Sequence, residues 1–209
     1  MSRPDRSGGG MIKGWHGWVG TFTGVALITV AVLPLAALAV WALARRRGVT
    51  GIKPAWAWRL SLAEAGIVYG TVPWIWMIML PGARAGAVPG RVSLVPLRDL
   101  FTILADRGPV TLTGQVVANL LVFAALGFFA PLRFAALASV SRILTLAAGC
   151  SILVETAQYV LHLDRVSSVD DVLLNTAGAG LAALASRRWW RATARSSSFQ
   201  PRSATAPGR

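Results

Sequence analysis

Apolar residues in this chain come in long unbroken runs, and polar residues either separate the runs or recur inside them at helical spacing. A helix needs about 20 apolar residues to cross roughly 30 Å of hydrocarbon. Four stretches reach that length, 18–44, 60–80, 112–132 and 143–163. A fifth, 172–186, has only 15 uncharged residues, so its ends are expected to dip into the membrane or to be buried in protein. The first run is longer than a signal-peptide core of about 7–15 residues and is read as a retained span. The connection 81–111 also carries a pattern. Val95, Leu97, Leu100, Phe101 and Leu104 gather on one side of a helical projection, Arg98, Asp99, Thr102 and Asp106 interrupt them, and Pro96 suits a first helical turn. This predicts a short amphipathic helix lying on the membrane interface. The expected fold is all-α, a polytopic helical membrane protein with about five transmembrane helices plus that interfacial helix. Its expected parts are a disordered basic tail over 1–13, an extra N-terminal helix with a basic loop over 14–59, a membrane core over 60–190, and a disordered basic tail over 191–209.

Composition supports the membrane and adds a direction. Of 209 residues, 55% are hydrophobic and 14% charged, against about 25% charged in a soluble domain. The net charge of +13 is confined to the two termini and the 45–59 loop, while 60–186 is neutral. Most of the nine tryptophans stand at the ends of the runs (Trp15, Trp18, Trp41, Trp56, Trp58, Trp74, Trp76, Trp189, Trp190), where interfacial belts form. With the C-terminus inside, 13 Lys and Arg fall on the inner segments and 8 on the outer ones, which favours an outside N-terminus and a cytoplasmic C-terminus in the cell membrane. Basic segments beside spans are expected to meet anionic lipid headgroups rather than nucleic acid. The lone Cys150 reads as a buried structural thiol, and no Cys/His cluster has zinc spacing, so no metal ligands are assigned.

Polar groups at membrane depth are costly, by about 2.5–3.5 kcal/mol for the worst on insertion scales, so their placement is informative. Ser151, Glu155, Gln158 and His162 share one face of the fourth run. The third run offers Gln115 and Asn119, and the fifth offers Asp171 and Asn175 above Gly178 and Ala182. Asp164, Arg165, Asp170 and Asp171 crowd the connection between the last two runs. Each has an ordinary structural account. Ser168 and Asp171 fit a capping box, Asn119 and Asn175 fit interhelical hydrogen bonding, Glu155 and Arg165 fit a buried pair, and Glu64 fits snorkelling or pairing with Arg59 or Arg45. Their convergence on one outer region is what points to a cleft.

These same residues carry a resemblance. Val92-Ser93-Leu94-Val95-Pro96-Leu97, Asn119-Leu120-Leu121-Val122-Phe123 running on to Pro131, Glu155-Thr156-Ala157-Gln158, Arg165, and Asp170-Asp171-Val172-Leu173-Leu174-Asn175-Thr176-Ala177-Gly178-Ala179 together resemble the VanZ-like family of bacterial membrane proteins over roughly 93–184. Ser93 stands where that pattern commonly has asparagine. The resemblance implies a small polytopic protein whose founding relative is associated with low-level teicoplanin resistance, and it carries the family's polar positions onto Asn119, Glu155, Gln158, Arg165, Asp171 and Asn175. It brings no reaction with it.

Three function classes follow. The first is a cell-envelope protein binding or modulating a polyprenyl-linked cell-wall lipid or a glycopeptide through Asn119, Glu155, Gln158, Arg165, Asp170, Asp171 and Asn175, with Arg165 attracting a phosphate. The second is an intramembrane enzyme on a polyprenyl phosphate lipid. In it Glu155 is the candidate catalytic acid or base, and Asp170 and Asp171 hold Mg²⁺ on a pyrophosphate. Otherwise no cofactor is expected. The third is a non-catalytic scaffold. The chain has no G-x-S-x-G, no H-E-x-x-H and no phosphatase-type set, which favours binding over catalysis.

Overall fold

A computed structural model describes residues 21–198, with side chains to 190. The tail 1–13, the N-terminus whose side was expected to be outer, and the end of the C-terminal tail lie outside the described residues. The chain forms helices α1 (Phe22–Val49), α2 (Pro54–Ile78), α3 (Arg98–Val122), α4 (Ala124–Arg133), α5 (Val140–Val160) and α6 (Val169–Ser198), with a short 3₁₀ turn at Ala135–Leu137. Two three-residue strands, β1 (Arg91–Ser93) and β2 (Val166–Ser168), pair in parallel.

The long apolar runs become the helices, and local chemistry sets their ends. Thr21 caps α1 by accepting the amide of Gly24 at 3.0 Å, and Pro54 opens α2, where a missing N–H costs nothing. Gly108 takes φ +80°, ψ 174° and breaks α3 into a first piece, 98–107, where the interfacial helix was expected, and a second piece that starts at Pro109. A side chain resists that φ, so glycine is the residue that permits the corner. The predicted amphipathic helix is therefore present and ends at this joint.

Three segments are long and apolar enough to cross a membrane, namely Phe22–Val49, Arg98–Arg133 (α3 with α4) and Val140–Val160. Helices α2 and α6 have the length, at 25 and 30 residues. Glu64 and its tryptophans dilute the first, and the acids of one end and arginines of the other dilute the second. In α1 only Gly24, Val25 and Ala44 are buried, while Val30, Leu35 and Leu38 are each more than half exposed. An apolar helix with so little protein around it needs lipid.

Helix α6 is the hub, packed against α3, α4 and α5, and α2 joins α1 to α4. The core of Val122, Phe123, Ala130, Ile143, Ala147, Ala179 and Ala183 is built largely of small side chains. The close approach is visible at Gly178, where an added Cβ would stand 1.9 Å from the Leu120 carbonyl oxygen, and at Gly127, 2.1 Å from that of Ala179. Small faces of the kind expected on α6 let backbones touch, and van der Waals packing replaces the hydrophobic drive that lipid removes.

Two sequence expectations are corrected here. The last helix is 30 residues rather than a short 15-residue span. It runs through Arg187 and Arg188 to Ser198, into the stretch assigned to a disordered tail. Glu64 pairs with Arg47 and Arg133, not Arg45 or Arg59. Arg45 instead lies over the Trp41 ring, because neighbouring arginines on a helix point about 100–200° apart and only one can face α2, and Arg59, on α2 itself, lies over Trp56 and donates to the Trp189 carbonyl.

Candidate functional site

The strand pair fixes where the site is. Strand β1 follows α2 and β2 precedes α6, so their pairing (Arg91 with Val166, Ser93 with Ser168) ties the 79–97 connection to the 161–168 turn at one end of the bundle. Further ties support it. Gln158 donates its amide to the Ile78 carbonyl at 2.8 Å, Arg165 Nε donates to the Leu80 carbonyl at 3.2 Å, and Arg84 pairs with Asp164 at 3.3 Å. Beneath this frame lies a cleft of about 460 Å³. Asn119, Glu155, Gln158, Arg165, Asp170, Asp171 and Asn175, the seven residues singled out from the sequence, all line it.

Within the cleft these residues have different jobs. Asp171 sits in the first turn of α6, and one carboxylate oxygen accepts hydrogen bonds from both Gln115 and Asn119 of α3. Asn175, one turn on, donates to the Ser151 hydroxyl of α5 at 2.8 Å and leaves its own carbonyl oxygen without a partner. Glu155 is 8% exposed and accepts from the Ser168 amide at 3.0 Å, while the Ser167 hydroxyl donates to its backbone carbonyl. The expected Glu155–Arg165 pair does not form, since neither residue makes an ion pair. Burial pulls the Arg165 guanidinium below its ordinary pKa, while Asp171 and Glu155 push it back up. It stays charged, because an arginine does not give up its proton in a protein.

Asp170 proves to be a positioning group. Its carboxylate accepts the amides of Leu97, Asp99 and Leu100, capping the interfacial helix from 70 residues away along the chain. Leu97 has φ +66°, a left-handed conformation that costs a non-glycine residue about 1–2 kcal/mol. The charged acceptor on its own amide and on the two orphan amides that follow offsets this strain. Ser168 caps α6 by accepting the amide of Asp170 at 3.1 Å, but Asp171 turns to α3 instead of completing a capping box. Asp170 and one oxygen of Asp171 are thus engaged in hydrogen bonds, which leaves the second oxygen of Asp171 as the acceptor of this pair still open.

The stripe Ser151, Glu155, Gln158 is buried on one face of α5, but His162 leaves it because α5 ends at Val160 and His162 turns to φ +50°. The sequence reading missed several lining residues. Asp99, Thr102, Ile103 and Asp106 of the interfacial helix face the cleft, joined by Arg107 and by Arg91 of β1. The i, i+3, i+4, i+7 spacing of that face was available as a signal, but its acids looked like mere interruptions of an apolar face. A second wall is apolar, made by Phe22, Trp74, Met77 and Ile78.

A family model described as VanZ/LLP1 matches residues 67–190. The chain belongs to the VanZ/LLP1 family. The VanZ/LLP1 match starts inside α2, earlier than the motifs alone reach, and ends at the last tryptophan of the pair in α6, so it contains every polar residue that lines the cleft and leaves α1, with its single lining residue Phe22, outside. No curated protein and no solved structure matches the chain.

Proposed function

We propose that this VanZ-like protein sits in the bacterial cell membrane with five crossings and its cleft at the outer leaflet, where it binds or modulates an amphiphile of the cell envelope. The candidate ligands are a polyprenyl-linked cell-wall component or a lipid-tailed glycopeptide of the teicoplanin type. The observation that carries this reading is Arg165. It lines the cleft at the bundle end, makes no ion pair among the described residues, and shares that lining with the apolar side chains of Phe22, Trp74, Met77 and Ile78. Its Nε is held by the Leu80 carbonyl, which leaves the other donors of a partly buried planar fork to meet an anion, and the apolar side chains suit a lipid chain. The orientation rests on the basic residues. Arg45, Arg46, Arg47, Lys53, Arg59, Arg133, Arg142, Arg187 and Arg188 gather at the end away from the cleft, which the positive-inside rule assigns to the cytoplasm. There they meet anionic lipid headgroups.

The test is saturable binding of polyprenyl phosphate or teicoplanin to the purified chain. It should be strongly reduced in Arg165→Gln at unchanged folded yield, with a parallel change in glycopeptide susceptibility of cells with and without the gene. Binding that is absent, or that ignores Arg165, removes the reading. Folded yield that falls together with binding supports a scaffold. One observation favours an enzyme as the second reading: Glu155 is buried beside the cleft with one carboxylate oxygen oriented by the Ser168 amide, as a general acid or base needs. Turnover of a polyprenyl pyrophosphate, lost in Glu155→Gln, would replace binding by catalysis.

A further inference from the structure

Resting on the binding reading above, the charges of the cleft specify more than an anion. Six acids line it, Asp99, Asp106, Glu155, Asp164, Asp170 and Asp171, against three arginines, Arg91, Arg107 and Arg165. Hydrogen bonds hold some of these acids, Asp170 through three backbone amides, Asp171 through Gln115 and Asn119, and Glu155 through the Ser168 amide. Only Asp164 has a cation, Arg84, so among the described residues five carboxylates remain without one and all three arginines remain without a carboxylate. A polyanionic headgroup such as a pyrophosphate would answer the arginines and be repelled by the acids.

The orphaned atoms point the same way. Asn175 is 1% exposed and lines the cleft with its carbonyl oxygen unpartnered, and one carboxylate oxygen of Asp99 is likewise buried and unpartnered. Both are acceptors. A buried acceptor left unmet is costly, and a ligand with N–H or O–H donors would meet it. Excess carboxylate selects a positively charged donor among these. We infer that the cleft takes a zwitterionic headgroup, in which a phosphate meets Arg165 and a protonated primary amine meets Asp99 and the Asn175 carbonyl.

The experiment uses the full chain in detergent and reads bound lipid by native mass spectrometry. The probes are phosphatidylethanolamine, its N-trimethylated counterpart phosphatidylcholine, phosphatidylglycerol, polyprenyl phosphate and tail-free phosphoethanolamine. Phosphatidylethanolamine should bind about tenfold more tightly than phosphatidylcholine or phosphatidylglycerol, the worth of one charge-assisted hydrogen bond. Asp99→Asn should bring that ratio close to one, and so, more weakly, should Asp106→Asn on the exposed rim, which keeps the test open if the first variant folds poorly. Arg165→Gln should weaken every phosphate lipid alike. If phosphatidylglycerol or polyprenyl phosphate binds as well as phosphatidylethanolamine, with Arg165 dependence, the amine is wrong and the binding reading stands. If no probe binds in an Arg165-dependent way, both fall. Competition by phosphoethanolamine as strong as that of the lipid would keep the headgroup and overturn the lipid.

Discussion

The two ends of the bundle solve the problem of charge near a membrane in opposite ways. At the arginine-rich end, Glu64 is held by Arg47 and Arg133, Ser61 accepts from Arg47, and Arg45, Arg59, Arg133 and Arg188 each lie over an aromatic ring. At the cleft end, Arg91, Arg107 and Arg165 face Asp99, Asp106, Glu155 and Asp171 across a cavity without closing on one another. The first arrangement stabilises helix packing. The second leaves charge without a counter-charge around a cleft in which Glu155 is buried, an arrangement that a ligand can complete. Both ends carry arginines and acids, so it is pairing that separates structure from binding.

That comparison is broken most severely through the packing both ends share. Gly178→Ala puts a methyl 1.9 Å from the Leu120 carbonyl oxygen, and backbone offers no rotamer to relieve it. The α3–α6 contact should open at a cost of at least about 3 kcal/mol, seen as loss of monodisperse protein on size exclusion. A variant that purifies normally would show that the helices are not this close. Next, Glu64→Ala strands Arg47 and Arg133. Their partial exposure (18% and 33%) discounts the cost of a fully buried break, leaving a loss of about 1–2 kcal/mol, read as a lower melting midpoint in detergent with ligand binding intact. Glu155→Gln should have the smallest effect on stability, under about 1 kcal/mol, because the amide keeps an oxygen for the Ser168 N–H and no cation loses its partner. Binding should nonetheless fall. A large drop in melting midpoint here would make Glu155 structural and erase the contrast between the ends.

Much of this was legible in the sequence because hydrocarbon imposes simple rules. Run lengths located the helical segments, to within a few residues for 143–163, though the 112–132 run proved to be two helices parted at Phe123, and the helical spacing of Ser151, Glu155 and Gln158 marked the inner face of α5. The limits are just as physical. A helix leaving the membrane shows no break in its hydrogen bonding, so Arg187 and Arg188 mark where lipid ends and not where α6 ends. Three-residue strands have no period to detect, and so β1 and β2 were invisible. An acid at a helix start looks like its own helix's cap, and only coordinates show Asp170 capping another helix. For Glu64, several arginines lay within reach along the chain, and the α2–α4 packing that brings Arg133 to it is a tertiary fact.

The cap that Asp170 places on Leu97 also sets an order of assembly. The two residues are 73 positions apart, and a ribosome adding about 5–20 residues per second needs roughly 4–15 s to supply the acid after the amide it will hold. Through that interval the interfacial helix exists without its cap and β1 without its partner. The cleft is therefore completed only by α6, and a nascent chain halted before Asp170 would carry the earlier helices without the wall that Asp170, Asp171 and Asn175 supply.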